Sequence, residues 1–145
     1  MTLVDTTEKG ADDAISFELD LRHVPQKVWR ALTDPALLAE WLLPVSDFAL
    51  ESGKAFTFRR PPIGGWDGTV SCRMLEIEEH RKLSYVWRAG DFIDTVLTFT
   101  LTPTASGTRL SLVQTGFTQK QNAGGARYGW RLMGAKLIEL LDRLP

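Results

Sequence analysis

The chain is predicted to be an α+β domain in which a curved antiparallel sheet of six to seven strands surrounds one long C-terminal helix. Two short helices are expected after the first strand. Three observations carry this prediction. Runs of alternating apolar and polar residues fill the segment from Ala55 to Gln114, and period two is the mark of strands with one buried face. Short turns separate those runs, as consecutive antiparallel strands require. Finally, Ala126, Trp130, Met133, Leu137, Leu140 and Leu144 recur at spacings of three and four, which makes an apolar stripe along a helix. A sheet that is apolar on one face needs a cover, and that stripe supplies it.

The elements follow in order. Residues 1–13, MTLVDTTEKGADD, are polar and read as a flexible N-terminal tail, leaving residues 14–145 as the single domain. Ile15, Phe17, Leu19 and Leu21 alternate with Ser16, Glu18, Asp20 and Arg22 and form the first strand. Pro25 suits the first helical position, and Val28 and Leu32 share a face with Trp29 alongside. Asp34-Pro35 ends this helix and starts a second over Ala36 to Leu42, with Asp34 as cap.

Strands then follow. Val45 to Leu50 is weakly patterned, and Ala55 to Arg60 carries Phe56 and Phe58 on one face. Pro61 to Gly65 is a loop, because two prolines and two glycines cannot hold a ladder. Gly68 to Glu78 alternates through Val70, Cys72 and Met74. The break in phase at Leu75 and Ile77 predicts a β-bulge. Leu83, Tyr85 and Trp87 form the inner face of the next strand, and Leu97, Phe99 and Leu101 that of its neighbour. Ala105-Ser106-Gly107 makes a hairpin turn, and Leu110, Leu112 and Gln114 continue inward. The long helix begins either at Gln119, where Thr118 and Gln121 could form a capping box, or near Gly125.

Composition narrows the function. The 145 residues carry 17 basic and 18 acidic side chains, a net charge of −1, so there is no cationic excess for a nucleic-acid backbone. No apolar run approaches the length of a membrane span, and the N-terminus lacks the apolar core of a signal peptide, so a cytoplasmic location is the default. Cys72 is the one cysteine and cannot form an internal disulfide. His23 and His80 are far apart, with no HxxxH, CxxC or acidic cluster, so neither metal nor other cofactor is expected. No GxSxG or P-loop occurs. For acid–base work the candidates on the inner phase are Glu76, Tyr85 and Gln114. The plainer reading of Glu76 is a strand carboxylate paired to Arg73 or Arg88.

Several stretches carry a resemblance: VPQKVWRALTDPALLAEWLLP, MLEIEEHRKLSYVWR, LTFTLTPTASGTRLSLVQTGF and GWRLMGAKLIELL. In this order they resemble the helix-grip superfamily, which includes lipid-transfer START domains, plant pathogenesis-related (Bet v1-like) proteins and polyketide cyclases. Within it they are most similar to the small bacterial proteins of the family named for the activator of the Hsp90 ATPase. The resemblance covers about Ile15 to Leu144. At Gln114 that family often has histidine, and at Glu79 and His80 it often has prolines. The first departure replaces a potential pocket base by a neutral hydrogen-bonding group.

In this reading a cavity lies between sheet and helix. Phe58, Tyr85, Trp87 and Phe99 project into it from the sheet, and Trp130, Met133 and Leu137 from the helix. Gln114 is a polar point in the lining, and Trp41 and Trp66 stand at the mouth. Such a lining suits a hydrophobic or aromatic small molecule. The plainer alternative is that these rings simply fill the core. The family name implies a second function, a protein-interaction module regulating an Hsp90-type chaperone. Related cyclases imply a third, an enzyme using the same pocket. The expected assembly is a monomer or weak homodimer without nucleic-acid or membrane partners.

Overall fold

The computed structural model describes residues 2–145. Strands β1 (Thr2–Asp5) and β2 (Ala14–Leu21) precede helices α1 (Pro25–Thr33) and α2 (Pro35–Trp41). Strands β3 (Val45–Ser46), β4 (Ala55–Arg59), β5 (Thr69–Glu78), β6 (Lys82–Ala89), β7 (Ile93–Thr104) and β8 (Gly107–Thr115) follow, and α3 (Lys120–Arg143) closes the chain. All strands join one antiparallel sheet in the order β1-β2-β8-β7-β6-β5-β4-β3. This is the helix-grip arrangement, with eight strands where six to seven are expected. Val45 to Leu50 contributes only the short β3.

The inner residues of the strands alternate as the sequence predicts. Ile15, Phe17 and Leu19 of β2 stand beside Gln114, Leu112 and Leu110 of β8, and Phe99 of β7 pairs with Leu83 of β6. Trp130, Leu137, Leu140 and Leu141 of α3 are buried among them. Asp34 caps α2 by accepting the Ala36 amide at 2.9 Å, and Pro25 and Pro35 open their helices, where the missing N–H costs nothing. The start of α3 resolves to the earlier alternative, with Gln119 at the N-cap, but no Thr118–Gln121 capping box forms. Gly107 begins β8 rather than sitting in the loop. A side chain there would meet the Leu21 carbonyl oxygen at 2.2 Å, so close packing of the hairpin on the end of β2 demands glycine.

Two expectations are corrected. Residues 1–13 do not form a flexible tail over their whole length, because Thr2–Asp5 is the edge strand β1, in register with Phe17–Asp20. Its inward residues are Leu3, which lies against Gly134 of α3, and Asp5, which binds two arginines of the same helix. The following loop is tied down by the Thr6 amide bonding Ser16 O at 2.9 Å and by amides of Gly116 and Phe117 bonding Asp13 O, each at 3.0 Å. Four residues with a charge among them read as polar sequence, whereas a neighbouring strand with free backbone groups recruits them. The second correction concerns Glu76. The predicted bulge lies between Met74 and Glu76 and advances the register by one residue. Ile77, not Glu76, then faces Leu83, and Glu76 points to solvent, paired with Lys82 at 3.1 Å rather than with Arg73 or Arg88.

Candidate functional site

The grip between sheet and α3 is not uniformly filled. At the end nearest the start of α3, a cavity of about 420 Å³ opens between the helix, β5, β6 and the loops after β4 and β6. Its apolar wall is formed by Val70, Trp87, Ile93, Trp130 and Met133, with Trp66 and Phe92 at the mouth. The hollow exists because α3 presents Gly125, Ala126 and Gly129 there. A side chain added at Gly125 would meet no atom within 4 Å.

Of the ten residues expected at the site, the structure brings five to this cavity: Trp66, Trp87, Gln114, Trp130 and Met133. Trp41, Phe58, Tyr85, Phe99 and Leu137 lie deeper and are packed as core. Trp41 is not at the mouth, since it is 1% exposed and its indole donates to the Ala31 carbonyl at 2.9 Å. The buried rings form a continuous stack behind the cavity. Tyr85 stands 6.3 Å from Phe99, Phe99 stands 6.3 Å from Trp130, and Phe58 stands 5.4 Å from Trp87. Trp87 and Trp130 meet at 5.8 Å and 53° and make the floor. Edge and tilted contacts of this kind rigidify a surface on which another ring can pack.

Gln114 is committed to the frame. The Trp130 indole N–H donates to Gln114 Oε1 at 2.8 Å, Gln114 Nε2 donates to Thr95 Oγ1 at 2.9 Å, and the Thr95 hydroxyl donates to the Trp87 carbonyl at 2.9 Å. An indole N–H can only donate, so it fixes which end of the amide faces it, and the direction of the whole chain follows. The chain ties α3 to β8, β7 and β6 beneath the cavity and holds both floor tryptophans. A histidine at this position would offer two ring nitrogens in place of an amide oxygen and an amide nitrogen.

The ionisable side chains that line the cavity are Arg60 and Lys136. No Asp, Glu, His or Cys contributes to its lining. Among the other inner candidates, burial pushes the Tyr85 phenol well above its ordinary value, with nearby Cys72 adding to it, and burial alone pushes the Cys72 thiol up. Neither reaches the cavity. No group of three metal-binding side chains occurs among the described residues, and no helix is long and apolar enough to cross a membrane.

Sequence reasoning missed apolar wall residues such as Val70, Ile93 and Leu132, and also residues that are polar or lie in loops: Arg60, Phe92, Gln121, Asn122 and Lys136. Arg60 was assigned to the end of a strand, and its guanidinium instead lies 5.8 Å from the centre of the Trp66 ring. Asn122 donates to the Phe92 carbonyl at 3.1 Å and so links the first turn of α3 to the loop after β6. Periodicity identifies faces of strands and helices but has nothing to say about which loops converge on one end of them.

Comparison with known proteins agrees with this fold. A family model described as "Activator of Hsp90 ATPase homolog 1-like protein" matches residues 22–142. The crystal structure of protein MLL2253 from Mesorhizobium loti superposes with a TM-score of 0.81 at 38% identity, covering 91% of this chain and 98% of that one. Protein CV1439 from Chromobacterium violaceum gives a TM-score of 0.77 at 27% identity, covering 91% and 99%. DynU16, a protein of the dynemicin biosynthetic locus, gives 0.79 at 20% identity, with 92% of this chain and 48% of that chain covered, and bears on the fold alone. No curated protein matches the sequence.

Proposed function

The chain belongs to the family of activator of Hsp90 ATPase homolog 1-like proteins, and on that premise we propose that it binds a hydrophobic or aromatic small molecule at the open end of its helix grip. The observation that carries this reading is the cavity itself. A space of about 420 Å³ is of the size that takes a small organic molecule, and its floor is a rigid pair of indoles. A solid interior would have favoured the chaperone-regulating module implied by the family name. A carboxylate inside the cavity would have favoured an enzyme of the cyclase kind. The lining supplies an apolar surface with a few amides and cations at its edge, a combination that holds and orients a ligand.

Native mass spectrometry of freshly purified protein tests the reading directly, and a copurified molecule of low mass is the expected result. A titration complements it. Aromatic compounds entering beside Trp87 and Trp130 should quench tryptophan emission saturably. Met133→Trp should fill the space, leave the protein folded and weaken binding about tenfold, about 1.4 kcal/mol. Wild-type affinity in a stable Met133→Trp protein would move the ligand elsewhere. A large fall in melting temperature, with no ligand found for the wild type, would show an overpacked core and favour the chaperone reading.

A further inference from the structure

The charges around the cavity are one-sided. The chain as a whole balances 17 cations against 18 carboxylates, yet the two charged residues that line this cavity are Arg60 and Lys136, both basic. They come from different walls, Arg60 from the loop directly after β4 and Lys136 from α3. Neither forms an ion pair among the described residues, so neither charge is already neutralised by a carboxylate; six of the 17 cations are paired. Arg60 is held in place by its backbone bond to Gly68 O at 3.0 Å, by an Nε–H bond to the Pro61 carbonyl at 3.2 Å and by the Trp66 ring. Its terminal nitrogens are thus presented without a protein acceptor. Asp67 and Asp91 line an adjoining outer cleft on the other side of Trp66 and Phe92. Asp67 is already engaged by the Thr69 amide at 2.9 Å.

We infer that the ligand is an amphipathic anion, with an aromatic or alicyclic body against Trp87 and Trp130 and a carboxylate-like head at the mouth between Arg60 and Lys136. This inference rests on the binding reading above and names the class of molecule it takes. The arrangement separates the two costs of binding such a molecule. The body exchanges water for indole and methionine surface, while the head stays at a wet rim and avoids the penalty of burying a charge. Guanidinium and ammonium groups there add attraction and orientation, and the absence of a carboxylate in the lining removes the repulsion that would otherwise oppose it. A cationic or neutral ligand of the same shape gains nothing from either group.

The test uses two fluorescent probes that share a skeleton: anilinonaphthalene sulfonate and its uncharged parent, phenylnaphthylamine. At low salt the sulfonate should bind the wild-type protein about five- to tenfold more tightly, and the difference should shrink at about 0.5 M salt. Arg60→Gln and Lys136→Gln, both at exposed positions, should keep the wild-type melting temperature. Each should weaken the sulfonate about two- to fivefold and leave phenylnaphthylamine unchanged. Met133→Trp should weaken both probes. Equal affinity for the two probes, unaffected by either glutamine variant but reduced by Met133→Trp, would overturn the anionic head and leave the cavity reading standing. Binding of both probes that ignores Met133→Trp would overturn the cavity reading and this inference with it.

Discussion

Between Lys120 and Met133, α3 carries Gly124, Gly125 and Gly129, buries Ala123 and Trp130 in the core, and adds several polar links to the rest of the molecule. Asn122 bonds the Phe92 carbonyl, Trp130 bonds Gln114, and Arg127 and Arg131 reach Asp5 of β1. Between Gly134 and Arg143 the same helix presents Leu137, Leu140 and Leu141, all buried, to Leu21, Val28, Leu32 and their neighbours in one apolar cluster. One half is held by close-packed hydrocarbon, and the other by two buried side chains together with directed bonds around a hollow. The difference teaches how a helix of 24 residues can serve as both core and binding wall. Directed bonds fix position without needing to fill space, so side chains can be withheld where a ligand is to enter.

The comparison breaks most visibly at its apolar end. Leu137 is 1% exposed, and Leu137→Ala should cost about 2–5 kcal/mol in equilibrium urea unfolding, the range for a buried leucine that leaves a cavity. A loss under about 0.5 kcal/mol would mean that this half is not the closed half.

At the polar end the largest effect should come from Gln114→Leu. The substitution leaves the Trp130 indole N–H without its acceptor and removes the donor to Thr95, both in buried surroundings. A cost of about 1–3 kcal/mol is expected in the same unfolding experiment. A neutral outcome would show that water can replace the amide and that the directed chain does not hold the floor.

The ionic tie is smaller and depends on pH. Burial raises the pKa of Asp5, but bonds from Thr7 and from Arg127, with the charge of Arg127, outweigh it and lower the value to about 2 from 3.8. A depressed carboxylate contributes stability that is fully present above about pH 4 and is lost as pH falls toward 2. Both arginines are partly in water, so the contribution is about 1 kcal/mol rather than the full value of the shift. Asp5→Asn should therefore melt below the wild type at pH 7, and the gap should close by about pH 2 in thermal circular dichroism. A gap that persists unchanged across that range would assign the loss to packing instead.

The smallest change sharpens the comparison by its sign. Gly125→Ala adds a methyl group to open space and improves helix propensity, so it should stabilise by about 0.5–1 kcal/mol. At Gly134 the same methyl would stand 3.2 Å from Leu3, and no gain should follow. Equal gains at both positions in urea unfolding would mean that the helix is equally loose along its length.

Reading from sequence succeeded where local chemistry repeats. The alternation through Leu83, Tyr85 and Trp87, the bulge after Met74, the Asp34-Pro35 junction and the stripe on α3 each leave a signal within a few residues of themselves. β1 left none, because Leu3 and Asp5 become a strand only when the edge of β2 and the arginines of α3 are already in place. Among the aromatics the sequence could not separate lining from filling. Trp41 reads as a residue of the mouth and Trp87 as an inward one, but Trp41 is sealed against α1 while Trp87 meets the cavity. In the sequence, Gly124 and Gly125 bear only on where the helix begins and give no sign of the hollow.

What the sequence determined by itself is therefore the class of fold and the faces of its elements, since periodicity and capping are properties of neighbours along the chain. Tertiary structure alone decided three things: that one end of the grip stays open, that Gln114 is consumed by the frame, and that Arg60 and Lys136 come to the same rim. Each depends on the distance between segments remote in sequence. Space left between two elements is set by the side chains that both of them lack, and neither segment records what the other omits.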